Sequence, residues 1–181
     1  APVLLLDEPT ANVDAGSVES LERLVGQLGE AGRTVILSSH NQPFAYRVGT
    51  QLTFLEEGRL TAPRDNVFKG SVESTDERFT YFRCGEGLLH CPAQQGQFST
   101  AALPMDDVIL SQEAVHTSAQ NQFRGRVLSV ERHGPLVRVR LDCSLSAAVQ
   151  AAITDYSAQS LGVVPGAAFY VTFKASAIRL Y

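Results

Sequence analysis

Val3-Leu4-Leu5-Leu6-Asp7-Glu8-Pro9-Thr10 is a short apolar run that ends abruptly in two carboxylates. Such a run reads as a buried strand delivering acids to its carboxyl edge, where open α/β sheets place their ligands. Val18, Leu21, Leu24, Val25 and Leu28 then recur at helical spacing. They predict one amphipathic helix over residues 17–31, with Ser17 as its cap and Gly32 as its stop. Thr34-Val35-Ile36-Leu37-Ser38 is a second β-rich run. A helix between two such strands is a βαβ unit, which implies a parallel sheet. Residues 51–55, the Glu57-Gly58 turn and Arg59-Leu60 predict a closing hairpin.

Pro63-Arg64-Asp65-Asn66 signals a linker, and the texture then changes to short strands with frequent turns. Residues 67–72, 79–83 and 108–110 read as strands, and the Gln- and Gly-rich stretch from Pro92 to Ser99 reads as loop. Further on, Val137, Val139 and Leu141 alternate with Arg138, Arg140 and Asp142, the pattern of a half-buried strand. Val149, Ala151 and Ile153 alternate likewise. Thr154-Asp155-Tyr156-Ser157 opens a short helix that ends at Gly162, and Pro165-Gly166 turns the chain into residues 169–174. The expected organisation is an α/β piece over 1–65, a linker and small β subdomain over 66–115, and an OB-like five-stranded barrel over 116–181.

Charge is unevenly spread. Residues 1–115 carry 8 Lys+Arg against 16 Asp+Glu, and residues 116–181 carry 7 against 3. A mildly basic end suits a small anion; without a Lys/Arg cluster or any Trp, no nucleic-acid platform is expected. No apolar run approaches the roughly 18 residues of a membrane span. Cys84, Cys91 and Cys143 read as reduced thiols, and six residues between Cys84 and Cys91 is poor spacing for zinc. Residue 1 is Ala rather than Met and no basic-then-apolar leader follows it, so no signal peptide is expected and the chain reads as a fragment or a trimmed form.

The order Leu-Leu-Asp-Glu-Pro-Thr, Ala11-Asn12-Val13-Asp14, Ser38-Ser39-His40 resembles the Walker B strand, D-loop and switch histidine of ABC-transporter ATPases over residues 1–60. The resemblance implies a partial P-loop NTPase core. In it Asp7 holds Mg²⁺, Glu8 is the general base, His40 contacts the γ-phosphate of ATP, and Asp14 speaks to the opposing subunit. No Gly-x-x-x-x-Gly-Lys-Ser/Thr loop, signature motif or glutamine loop occurs in these 181 residues. The chain alone is therefore expected neither to grip nor to hydrolyse ATP.

His116-Thr117-Ser118-Ala119-Gln120-Asn121-Gln122-Phe123-Arg124-Gly125, then residues 153–158 and Lys174-Ala175-Ser176, resemble the Mop or TOBE domain that binds molybdate and tungstate. A tetrahedral dianion wants hydroxyl and N–H donors with one or two cations. Ser118, Thr154 and Ser157 offer hydroxyls, the turn from Ser118 through Ala119 and Gln120 to Asn121 offers N–H groups, and Lys174 offers charge. The family's turn usually reads Ser-Ala-Arg-Asn, and Gln120 stands where the Arg would be.

Together the resemblances imply the carboxyl-terminal part of the ATPase subunit of a molybdate or tungstate importer. Such a subunit is expected to be a homodimer, cytoplasmic and peripheral on the inner face of the membrane, bound to permease subunits. Other readings are an oxyanion sensor or storage module with a vestigial α/β appendage, or the regulatory barrel of a sugar, polyamine or iron importer.

Overall fold

The computed structural model describes residues 3–61 and 63–181. The chain divides into two compact units, 1–62 and 63–181.

In the first unit β1 (Val3–Leu6) pairs in parallel with β2 (Thr34–Leu37), with Leu6 opposite Leu37. The predicted crossover helix is α1 (Ala15–Glu30), two residues earlier than its apolar periodicity placed it. The shift has a cause: Asp14, rather than Ser17, is the cap. Its carboxylate accepts from the Ser17 backbone N–H at 3.0 Å and from the Ser17 hydroxyl at 2.8 Å. These bonds, the side-chain one foremost, hold the Asp14 carboxyl below its ordinary range. The cap's contribution is therefore present above that range and lost as pH falls through the lowered value. The helix ends as Gly32 turns left-handed at φ +70°. A second helix that periodicity did not predict, α2 (Gln42–Val48), is capped by Asn41 and buries Phe44 and Tyr46. Arg47 of α2 reaches Glu22 of α1 at 2.6 Å. The hairpin forms from β3 (Phe54–Glu56) and β4 (Arg59–Thr61). Among the described residues the parallel sheet has two strands, and Val3, Leu5 and Ile36 stand more than half exposed on it.

The second unit is all-β apart from one helix. Its strands are β5 (Asp65–Lys69), β6 (Ser71–Thr75), β7 (Phe79–Cys84), β8 (Gly87–Pro92), β9 (Thr100–Pro104) and β10 (Ile109–Ser111). They continue with β11 (Asn121–His133), β12 (Leu136–Asp142), β13 (Val149–Thr154), α3 (Asp155–Leu161), β14 (Ala168–Phe173) and β15 (Arg179–Leu180). The expected strand over 67–72 is two strands broken at Gly70. The five-stranded sheet runs β10-β14-β11-β12-β13, so its fifth strand comes from residues 109–111 rather than from 116–181. Reciprocally, β15 leaves the carboxyl-terminal segment and pairs with β9, in a sheet of order β15-β9-β5. The remaining sheet is β6-β7-β8.

Alternation places Val137, Val139 and Leu141 of β12 and Thr80, Phe82 and Cys84 of β7 inside. One continuous core joins Phe68, Phe82, Leu89 and Leu103 to Val139, Leu141, Val171 and Phe173. Each such aromatic or aliphatic side chain contributes roughly 1.5–3 kcal/mol by leaving water. Residues 63–115 and 116–181 thus share a core and exchange strands.

Candidate functional site

Two groups of candidate residues lie in separate units. In the first unit β1 and β2 run side by side, so their carboxyl ends bring residues 7–8 and 38–40 together. β1 stops at Leu6, and the acids lie in the bend beyond it, outside the strand's alternation. Glu8 adopts φ +44° and Asn12 φ +58°, a backbone region costly for side-chain-bearing residues. Ser38 ties the bend down. Its hydroxyl donates to Asp7 Oδ1 at 2.5 Å and accepts from the Glu8 N–H at 3.1 Å. The Glu8 carboxylate accepts from the His40 N–H at 3.1 Å and faces His40 Nε2 at 3.3 Å. The His40 side chain is 97% exposed and Glu8 31%, so the pair opens to solvent. Thr10 and Ser39 join hydroxyls at 3.1 Å beneath it. Asp14 sits past this cluster, occupied as the α1 cap.

In the second unit the Ser118–Asn121 turn leads into β11, whose first residue Asn121 pairs with Phe173 at the end of β14. Gln120 and Lys174 are the next residues outward from that pair, both exposed, with Ser118 and Ser176 exposed beside them in sequence. The Ala119 N–H is already taken, at 3.0 Å, by the Thr117 hydroxyl. Asn121 is 1% exposed. Its amide accepts from the His90 N–H at 2.8 Å and donates to the His90 carbonyl at 2.9 Å, so both ends of the side chain are engaged in clamping β8.

Thr154 and Ser157 lie elsewhere. Thr154 pairs with Leu136, which pairs with His133 at the far end of β11. About 40 Å of strand path separates that end from Asn121. Thr154 caps α3, accepting from the Ser157 N–H at 3.1 Å and sharing its hydroxyl with Ser157 Oγ at 2.9 Å. A single chain therefore groups Ser118, Gln120 and Lys174 but not Thr154 and Ser157.

Sequence reasoning passed over Asn66. It is 2% exposed, accepts from the Gln150 N–H at 2.5 Å, and donates to the carbonyls of Gln150 at 2.9 Å and Leu103 at 3.2 Å. The signal for it is an internal repeat. Asn66-Val67-Phe68-Lys69-Gly70-Ser71-Val72 matches Asn121-Gln122-Phe123-Arg124-Gly125-Arg126-Val127. The register matches too, Asn66 facing Leu103 as Asn121 faces Phe173. Each asparagine clamps a strand of the other copy, β13 or β8.

The three cysteines are free and buried. Burial pushes the Cys91 and Cys143 thiols up to about 12. No cluster of metal-ligating side chains occurs among the described residues. A thiolate is the reactive form, so 5,5′-dithiobis(2-nitrobenzoate) at pH 8 is expected to titrate no thiol in the native chain and all three after denaturation. Fast native reaction of any cysteine contradicts this.

Residues 117–180 match the TOBE domain. The chain is 33% identical to the molybdate/tungstate import ATP-binding protein WtpC of Pyrococcus abyssi, over 99% of this chain and 56% of that protein. It is 29% identical to the protein of the same name from Pyrococcus horikoshii, with the same coverage. The chain thus spans little more than half the length of these relatives. Among solved structures, the cytoplasmic molybdate-binding protein ModG, with molybdate bound, superposes with a TM-score of 0.56 at 22% identity, covering 64% of this chain and 94% of ModG. That likeness is one of fold: a mainly β structure with a curled, OB-like sheet.

Proposed function

Since residues 117–180 belong to the TOBE domain family and the whole chain is related to ATP-binding proteins of molybdate/tungstate import, we propose that it is the carboxyl-terminal part of the ATPase subunit of an importer for one of these oxyanions. The observation that carries the ATPase half is the Asp7–Ser38–Glu8–His40 cluster at the ends of two parallel strands. In this reading Asp7 would hold Mg²⁺ and Glu8 would orient and deprotonate the attacking water. His40, bonded to that same carboxylate and exposed, would contact the γ-phosphate. The exposed apolar Val3, Leu5 and Ile36 fit a sheet that gains further cover in a longer subunit. In that subunit two copies close over ATP, at the inner face of the membrane, against permease subunits.

The test is ATP turnover. The 181-residue chain is expected to show none, because a P-loop's amides and lysine are absent from it. The same chain extended upstream to the length of its relatives is expected to hydrolyse ATP and to lose at least about a hundredfold of that rate in Glu8→Gln. An undiminished Glu8→Gln rate refutes the assignment.

For the barrel, the proposed oxyanion contacts are Ser118, Gln120 and Lys174 from one chain, with Thr154 and Ser157 supplied by a second chain across a dimer interface. Gln120→Arg restores a charge-assisted fork, so tungstate is expected to bind about tenfold to a hundredfold tighter by calorimetry. Heat with neither molybdate nor tungstate, in wild type and variant alike, removes the oxyanion from the proposal. The compactness of residues 63–181 favours a second reading, an oxyanion-binding module that works without ATP. Tungstate binding by a full-length subunit that never turns over ATP would select it.

A further inference from the structure

We infer that the second unit, although built from two copies of one strand motif, keeps only one of its two equivalent corners open to a dianion. The inference rests on the oxyanion reading above and adds its stoichiometry. The matching registers define the corners. One lies before Asn121 and after Phe173, the other before Asn66 and after Leu103. Ser118, Gln120, Lys174 and Ser176 of the first of these correspond to Pro63, Asp65, Pro104 and Asp106 of the other. A 3-10 turn follows each, Ala175–Ala177 and Met105–Asp107.

The chemistry of the two corners is opposite. Pro63 and Pro104 have no N–H to give an anion. The Met105 N–H is spent on the Arg64 carbonyl at 3.0 Å. Lys174 has no counterpart at Pro104, and Ser176 and Ala177 are replaced by the exposed carboxylates Asp106 and Asp107. Asp65 and Arg64 precede Asn66 here, one acid and one base. Two negative charges within several ångströms of a dianion lower its affinity by a factor of about a hundred, even through water. The corner at Gln120 and Lys174 has hydroxyls, an amide and a cation, and no carboxylate among these positions.

Equilibrium dialysis with tungstate, counted by elemental analysis, tests this on the intact chain. The expected count is no more than one tungsten per chain. Ser176→Asp, an exposed change that copies the acidic corner, is expected to weaken uptake at least about tenfold with an unaltered melting temperature. The converse variant Pro104→Lys/Asp106→Ser/Asp107→Ala is expected to raise the count by up to one per chain. Two ions per wild-type chain overturn the inference, as does a Ser176→Asp affinity equal to wild type. No uptake by wild type at millimolar tungstate overturns the oxyanion reading itself and the inference with it.

Discussion

Gly70→Ala is expected to destabilise the second unit by about 3 kcal/mol or more, seen as a large drop in the urea midpoint of its unfolding. Gly70 sits at the break between β5 and β6, where the chain passes close over β7. A Cβ there lies 2.0 Å from the Arg83 carbonyl oxygen and 2.7 Å from the Phe82 ring. The oxygen is backbone, and Phe82 is fully buried in the shared core, so neither yields by rotating away. Relief requires β6 to lift off β7. A domain's whole stability is about 5–15 kcal/mol, so the loss is a large share of it. Gly134 supplies the control. It has φ +62° but nothing within 4 Å of a new Cβ, so Gly134→Ala bears only the conformational cost of about 1–2 kcal/mol. Equal midpoints for the two variants contradict the close-approach argument.

Asn121→Ala is the second large effect, with an expected loss of about 2–4 kcal/mol. The substitution strands a donor and an acceptor, the His90 N–H and C=O, which Asn121 satisfies at 2.8 and 2.9 Å. Each buried group left unpaired costs about 1–3 kcal/mol. Asn66→Ala does the same to Gln150 on β13 and is expected to match it. The readout that separates a clamp from a mere packing defect is local. The His90 amide is expected to exchange with deuterium faster in Asn121→Ala than in wild type, and the Gln150 amide faster in Asn66→Ala. Unchanged exchange at both amides refutes the clamps.

What the sequence made legible follows from how local each signal is. β1, α1, β2 and α3 were readable because periodicity, caps and Gly32 or Gly162 act over a few residues. Glu8 and His40 were assigned to one site only through the family resemblance; their meeting follows from β1 and β2 running parallel in register and ending together. α2 was missed because seven residues with Pro43 at the start show little period, and its burial rests on Phe44 and Tyr46. β10 was assigned to the wrong neighbours because three residues carry no information about which sheet they join. The sequence shows Asn121 in a turn that offers N–H groups, but not that its buried side-chain amide answers to His90, a residue thirty-one positions away. Asn66 needed comparison of the chain with itself, since an isolated Asn after a Pro reads as a turn residue.

The exchange of β10 and β15 bears on the order in which this unit becomes complete during synthesis. β5 and β9 emerge from the ribosome long before Arg179 and Leu180, which add the third strand to their sheet, and before Tyr181, whose backbone bonds to Ser99 and Thr100. Until then β9 offers a bare edge, and Phe68 and Leu103 lack the later half of their core. During synthesis, the amino-terminal copy therefore lacks its third strand and part of its core until the last residues are made.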